Sequence, residues 1–195
     1  MGHDGRVPTH VALLRGINVG GHNRVAMPAL REAVSALGHS EVSTYIQSGN
    51  LLFTPRRATR ESTLASGLER AIDETFGIRP RVVVLSRETL TRTVELNPYA
   101  DEPNPKFVHA IFFGDAPGKE QRLFVDTAVA TAREKGSPDE ATFVGDVLYL
   151  HAPAGLGRSE LAAQLGKARG PLSSKGSGTA RNWSTVTKLL ELCGG

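Results

Sequence analysis

The sequence predicts an α+β protein made of two tandem ferredoxin-like (α/β-plait) halves, the second one irregular and ending in a helix. Hydrophobic patterns in the first half follow the order β-α-β-β-α-β, and the second half repeats this order less regularly. An antiparallel sheet of order 4-1-3-2 with both helices on one face is the simplest packing for such a half. We therefore expect halves at 1–97 and 107–195, joined by a proline-rich linker at 98–106.

Apolar spacing and stop signals place the elements of the first half. Residues 27–37 have helical spacing and end before Gly38, and residues 62–76 repeat apolar side chains every fourth position before Gly77. The Ser48-Gly49 pair predicts a two-residue hairpin turn. Buried or alternating strands are predicted at 9–14, 42–47, 50–54 and 81–85.

The second half gives weaker signals. A hairpin is expected around Gly145-Asp146. Where a fourth strand should follow, residues 170–178 are rich in glycine and serine and poor in strand formers, which predicts an irregular sheet. The remaining elements are strands at 107–113, 140–144 and 147–151, and helices at 119–134, 159–164 and 183–192.

Composition excludes several classes of protein. The chain has 195 residues, of which 39% are hydrophobic and 22% charged, which argues against wholesale disorder. No run approaches the roughly 18 apolar residues that a membrane helix needs, so no membrane partner is expected. A single cysteine, Cys193, excludes an internal disulfide framework. We therefore expect a soluble, cytoplasmic protein.

The positive charge is confined to one half of the chain. The net charge is +3. Residues 1–98 contain 12 arginines, no lysine and 9 acidic residues, whereas residues 99–195 are neutral. The first half is therefore the place to look for an anionic partner.

The glycine-rich loop at residues 15–26, RGINVGGHNRVA, joins the first strand to the first helix. Glycines and a helix N-terminus can hold a phosphate, although neither the Walker A nor the dinucleotide fingerprint is present. The alternative is a turn in which Asn18 and Asn23 bond their own backbone. Both readings are open at the level of sequence.

Strand order would gather charges beside this loop. In a 4-1-3-2 sheet, Arg15, the hairpin at 47–50 and the segment with Arg79 and Arg81 lie at one edge, beside the N-terminus of the first helix. With Arg24, they predict an anion-binding edge. The alternative for the hairpin is that its Gln and Asn only satisfy loop backbone.

A third polar block, TARNWSTVTKL, begins the last helix. Asn182 can cap that helix. Arg181 and Trp183 could form a surface for a base or a phosphate, or Trp183 could pack in the core with Arg181 as a surface charge. The full set of candidate ligand-binding residues is Arg15, Asn18, Gly20, Gly21, Asn23, Arg24, Gln47, Ser48, Asn50, Arg181, Asn182 and Trp183.

Sequence patterns for known catalytic sites are scarce. The six histidines show no zinc-ligand spacing, and there is no G-x-S-x-G motif, so no metal site, cofactor or catalytic residue is predicted. Cys193 lies on an apolar helix side near the chain end. Whether the protein is an enzyme stays open.

The blocks RGINVGGHNRVAM, YIQSGNLLF and TARNWSTVTKLLEL together resemble the bacterial domain-of-unknown-function family 1697. The resemblance implies two plait-like halves and supplies no activity. Its signature positions here are Arg15, Gly16, Asn18, Gly20, Gly21, Gln47, Ser48, Gly49, Asn50, Arg181, Asn182 and Trp183.

Three functions are compatible with these observations. The first is binding of a phosphate-bearing ligand, either a nucleotide or a nucleic-acid backbone, at the first-half edge. The second is an enzyme acting on a small anionic substrate, with His22 as the one obvious acid or base. The third is a protein-interaction module. The oligomeric state and the identity of the ligand are left open by the sequence.

Overall fold

A computed structural model describes residues 6–20, 22–47, 49–167, 171–172 and 178–195. The chain divides into two compact units, of which the first contains residues 1–92 and 188–195 and the second contains residues 93–187. The proline-rich segment at 98–106 lies within the second unit.

The first unit forms the β-α-β-β-α-β order that the sequence predicts. Its sheet has the order β2-β3-β1-β4, and every pair of neighbours is antiparallel. The elements are β1 (His10–Leu14), α1 (Met27–Ala36), β2 (Ser40–Tyr45), β3 (Asn50–Thr54), α2 (Glu61–Phe76) and β4 (Val82–Ser86), followed by α3 (Arg87–Glu95), in which the division between the units falls.

Both helices of this plait pack on one face of its sheet. Leu30 of α1 and Leu68 of α2 are fully buried in a core that includes Ala12, Leu51 and Val84 from three strands. Burial of these side chains favours the fold by about 1.5–3 kcal/mol for each leucine. The two helices therefore stabilise the sheet whose edge carries the glycine-rich loop at residues 15–26.

The first hairpin differs from the sequence prediction. The second strand ends at Tyr45 and not at residue 47, and the third begins at Asn50, so that four positions and not two separate the strands. The register is regular where the strands approach this connection, and a bulge lies at the other end of the second strand, where Glu41 has a φ of 52° and the register shifts between Ser40 and Ser43. Such a bulge takes up an additional residue without an apolar signal.

The second unit repeats the same topology. Its sheet has the order β6-β7-β5-β8, again antiparallel throughout, which corresponds to 4-1-3-2 in the order of its own strands. The elements are β5 (Val108–Phe112), α4 (Lys119–Glu134), β6 (Glu140–Val144), β7 (Val147–His151), a 3₁₀ turn (Leu156–Arg158), α5 (Glu160–Leu165), β8 (Thr179–Asn182) and α6 (Trp183–Leu192).

The fourth strand of this unit is more regular than the sequence suggests. Thr179–Asn182 pairs with β5 along its whole length, directly after the glycine- and serine-rich segment. Residues 168–170 and 173–177 of that segment lie outside the described residues. No helix in the described ranges is long and apolar enough to cross a membrane.

Candidate functional site

Three stretches of chain meet at one edge of the first sheet. Leu13 pairs with Asn50, and Leu14 pairs with Val82, so the end of β1 lies beside the beginnings of β3 and β4. The Arg15 amide donates to the Arg81 carbonyl at 2.9 Å. We call residues 15–26, the turn 46–49 and residues 79–81 the loop edge. Gly21 and Ser48 belong to it by sequence but lie outside the described residues.

The Asn18 side chain joins the glycine-rich loop to the hairpin turn. Its Nδ2 donates to the carbonyl of Val25 at 3.0 Å and to that of Gln47 at 3.1 Å. Its Oδ1 accepts the Val25 amide at 2.9 Å. Both amide hydrogens are thus engaged, which makes Asn18 a positioning residue that holds the first two signature blocks together.

A second asparagine folds the loop back on itself. The Nδ2 of Asn23 donates to the Gly16 carbonyl at 2.9 Å, and the Asn18 amide donates to the Asn23 carbonyl at 3.1 Å. Ile17 and Val25, two apolar residues of the same loop, are buried in the core. The Asn18 and Asn23 side chains therefore bond the backbone of their own loop, and Arg15 and Arg24 flank the hydrogen-bonded pair Gly16 and Asn23.

The hairpin turn is packed directly against the end of β1. Gly49 has a φ of 80°, and a Cβ at this position would lie 2.9 Å from the Leu14 carbonyl oxygen. The Gly49 carbonyl accepts the Leu14 amide at 2.7 Å. Asn50 is fully buried, and its Nδ2 donates to the Tyr45 carbonyl at 3.2 Å. Asn50 therefore shapes the turn, whereas Gln47 is exposed.

Three guanidinium groups of the loop edge carry uncompensated charge. Arg15, Arg24 and Arg81 are exposed, and no acidic side chain within the described part of the chain forms an ion pair with them. Arg79 differs, because its Nε lies 2.7 Å from Asp73 Oδ2. Three of the four arginines that the sequence places here are thus available to an anion.

Two exposed aliphatic side chains accompany these charges, and the sequence analysis did not single them out. Val19 is 67% exposed and Ile46 is 51% exposed. Val19 follows Asn18 and Ile46 precedes Gln47, and a hydrogen bond joins Asn18 to Gln47. The sequence signal that could have identified them is an aliphatic residue inside a turn rich in glycine and asparagine. Gly20 and His22 are exposed in the same loop.

A cleft of about 490 Å³ lies next to the loop edge and shares residues 79–81 with it. Its walls mix charges, because two carboxylates and three arginines line it. The Glu69 carboxylate accepts the Val82 amide at 3.0 Å, and Asp73 holds Arg79. The lining residues are Ser66, Glu69, Arg70, Asp73, Arg79, Pro80 and Arg81.

The signature positions of the third block, Arg181, Asn182 and Trp183, belong to the second unit. Arg181 Nη1 donates to Thr179 Oγ1 and to the Ala180 carbonyl, each at 2.8 Å, and burial lowers the pKa of its guanidinium to about 10. Asn182 Oδ1 caps α6 by accepting the Thr185 amide at 2.9 Å. Trp183 is half-buried, 6.2 Å from the Tyr149 ring.

The chain can be compared with known proteins at this point. A family model described as a protein of unknown function (DUF1697) matches residues 7–149, which include the first two signature blocks. No curated protein matches. The chain is similar to the solved structure of the conserved bacterial protein SP0830 from Streptococcus pneumoniae, with 22% identity and a TM-score of 0.66 over 96% of this chain and 99% of that chain. That likeness shows the fold. The family match shows that the chain belongs to the DUF1697 family.

Proposed function

We propose that the loop edge binds a phosphate-bearing ligand, either a nucleotide or the backbone of a nucleic acid. The observation that carries the proposal is the set of three exposed arginines, Arg15, Arg24 and Arg81, without acidic partners in the described structure. Guanidinium groups bind phosphate oxygens through paired, charge-assisted hydrogen bonds.

Hydrogen bonds beside two of the arginines support the same proposal. The Asn18 and Asn23 bonds engage Gly16, next to Arg15, and Asn23 and Val25, on the two sides of Arg24. A site whose backbone is ordered before binding loses less conformational entropy when the ligand arrives. The polar side chains of the loop edge therefore act mainly by positioning, and the arginines contribute the charge.

The proposal concerns the first unit alone. Arg181 and Asn182 are engaged in hydrogen bonds within the second unit. Within the described part of the chain, no side-chain partner orients the exposed His22 as an acid or base, so no step of catalysis is assigned to it.

The test measures binding of labelled oligonucleotides and of nucleotides across a salt series. Three phosphate contacts to a single strand predict a slope of log K against log salt of about −2. Replacement of Arg15, Arg24 and Arg81 by alanine should abolish most of this binding. The matched control replaces Arg56, Arg57 and Arg60, which are exposed beyond the opposite end of β3 and remove the same charge.

Two outcomes would contradict the proposal. Absence of binding at low salt would exclude phosphate recognition at the loop edge. Equal loss of affinity in both triple variants would attribute binding to total charge and not to this location.

A further inference from the structure

Ile46 has a backbone conformation that its residue type disfavours. Its φ is 49°, in the left-handed region, where β-branched residues are genuine outliers. At the other positive-φ positions of the loop edge the chain uses glycine or asparagine, namely at Gly16, Asn18, Gly20, Asn23 and Gly49. Core packing does not explain the isoleucine, because its side chain is 51% exposed. An exposed, strained aliphatic residue suggests a function in contact with a ligand.

Val19 supplies a second exposed aliphatic side chain at the same place. It is 67% exposed, and it follows Asn18 in the chain. Asn18, which precedes Val19, donates from its Nδ2 to the carbonyl oxygen of Gln47, which follows Ile46, at 3.1 Å. This hydrogen bond holds the two segments together. The loop edge therefore combines two apolar side chains with three guanidinium groups that have no acidic partner in the described part of the chain.

We propose that Val19 and Ile46 contact unpaired bases of a single-stranded nucleic acid whose phosphates bind Arg15, Arg24 and Arg81. This inference rests on the proposed function and names its ligand. Bases offer apolar faces at a regular distance from phosphate groups, which matches a surface that carries both chemistries. A duplex hides those faces in its stack, so an unpaired strand is the form that both side chains can reach.

The exposure of the two side chains favours a strand over a mononucleotide. Small-molecule sites are usually concave and bury most of their ligand. Val19 and Ile46 instead lie at exposed turns, on the two loops that the Asn18 hydrogen bond joins. Such a surface can contact consecutive nucleotides of an open strand.

The experiment compares two ligands that have the same phosphates. A labelled oligothymidylate and an abasic oligomer of the same length are titrated by fluorescence anisotropy at one low salt concentration. The wild-type protein should bind the oligothymidylate about tenfold more tightly, because covering the two aliphatic side chains removes roughly 60 Å² of apolar surface from water, which corresponds to a factor of that size. The double variant Val19→Ala, Ile46→Gly should lose this preference and keep its affinity for the abasic oligomer.

Stability measurements separate the loss of contacts from loss of fold. Ile46→Gly relieves the left-handed conformation, so its thermal midpoint should equal or exceed that of the wild type. Leu37→Ala is the matched control. Leu37 is 39% exposed just after α1, at the end of the helix far from the loop edge, and its removal should leave both affinities unchanged.

The outcomes distinguish this inference from the proposed function. Equal wild-type affinity for the two oligomers, with binding that still depends on salt and on the three arginines, would overturn base contact and leave phosphate binding intact. Tighter binding of a free nucleotide than of the oligothymidylate would also overturn it. Absence of binding to either oligomer at low salt would overturn this inference, and absence of nucleotide binding as well would overturn both proposals.

Discussion

The loop edge of the first unit and the corresponding edge of the second unit occupy the same place in the same strand order, but they differ in charge. In the second unit, the end of β5 lies beside the beginnings of β7 and β8. There Arg122 donates to the Gly145 carbonyl at 2.9 Å and to Asp146 Oδ1 at 3.0 Å, and it lies over the Phe143 ring. Arg15 and its neighbours have no such partners in the described structure.

This difference shows which properties follow the topology and which follow the loops. Repetition of the plait reproduces strand order and antiparallel pairing in both units. The chemistry of each edge depends on loop length and sequence, and the first loop (15–26) is longer than the second (113–118). A short loop lets Arg122 reach the hairpin, whereas the long loop keeps its arginines exposed.

The largest expected effect concerns the two hairpin glycines. Gly49→Ala should lower the free energy of unfolding by about 3 kcal/mol, because it combines a left-handed residue with a Cβ 2.9 Å from the Leu14 carbonyl oxygen. Gly145→Ala should cost only about 1 kcal/mol, because its φ is 59° and open space surrounds the new Cβ. Urea unfolding followed by circular dichroism compares them. Equal losses would contradict the packed hairpin of the loop edge.

The next effect separates the two asparagines of the loop. Asn18→Ala should lower the free energy of unfolding by about 2 kcal/mol, since three hydrogen bonds are lost and the Val25 amide is left without its acceptor. Asn23→Ala removes one side-chain bond and should cost about 1 kcal/mol. Hydrogen exchange at the Val25 amide provides the local measurement. Its protection should fall in the first variant and persist in the second.

The sequence predicts the fold well because burial is periodic. Helix α4 and the strands β6 and β7 have the predicted bounds, since apolar spacing and the Gly145 turn mark them. It misplaces the first hairpin because Ile46, a residue type that favours strands, has a left-handed φ of 49° and lies outside the strand. It misses Thr179–Asn182 as a strand because this polar segment is stabilised by pairing with β5 and not by its own propensity.

For the candidate site, the sequence predicts which segments come together but not the contacts of their side chains. Strand order alone brings Arg15 beside Arg81. Spacing does not reveal that Arg79 pairs with Asp73, because the contact depends on how the chain leaves α2 after Gly77. Nor does it reveal the left-handed Ile46, at a position where glycine or asparagine would be expected.

A third, smaller effect contrasts the arginines of the two edges. Arg15→Ala should weaken oligonucleotide binding about fivefold, equivalent to about 1 kcal/mol for one exposed charge contact, and leave stability unchanged. Arg122→Ala should leave binding unchanged and lower the free energy of unfolding by about 1 kcal/mol, because three hydrogen bonds and a ring contact are lost. If Arg122→Ala weakened binding as much, the contrast between the edges would fail.

The smallest expected effect concerns the pH dependence of stability. It arises from ionisable side chains at the ends of the two sheets that lie opposite the edges compared above. In the first unit, burial and then the charge of His10 lower the pKa of His39 from 6.5. In the second unit, the Asn104 amide and then the bond to His151 lower the pKa of Glu102 from 4.5. The Glu102 and His151 side chains lie 2.7 Å apart, with the Tyr99 ring stacked on the histidine.

Because the two lowered pKa values start from different ordinary values, the corresponding losses of stability fall in different pH ranges. Neutral His39 stabilises the fold above pH 6.5, and this contribution is lost as the pH falls through its lowered pKa. Ionised Glu102 stabilises the fold above pH 4.5, and its contribution is lost only as the pH falls through a value below that. On acidification, the difference in stability between the wild type and His39→Gln should therefore shrink first. The difference between the wild type and Glu102→Gln should shrink last. Thermal unfolding of the three proteins across both windows measures the order, and loss of the Glu102 advantage above pH 4.5 would contradict the Glu102 part of the argument, because a depressed pKa keeps that carboxylate ionised there.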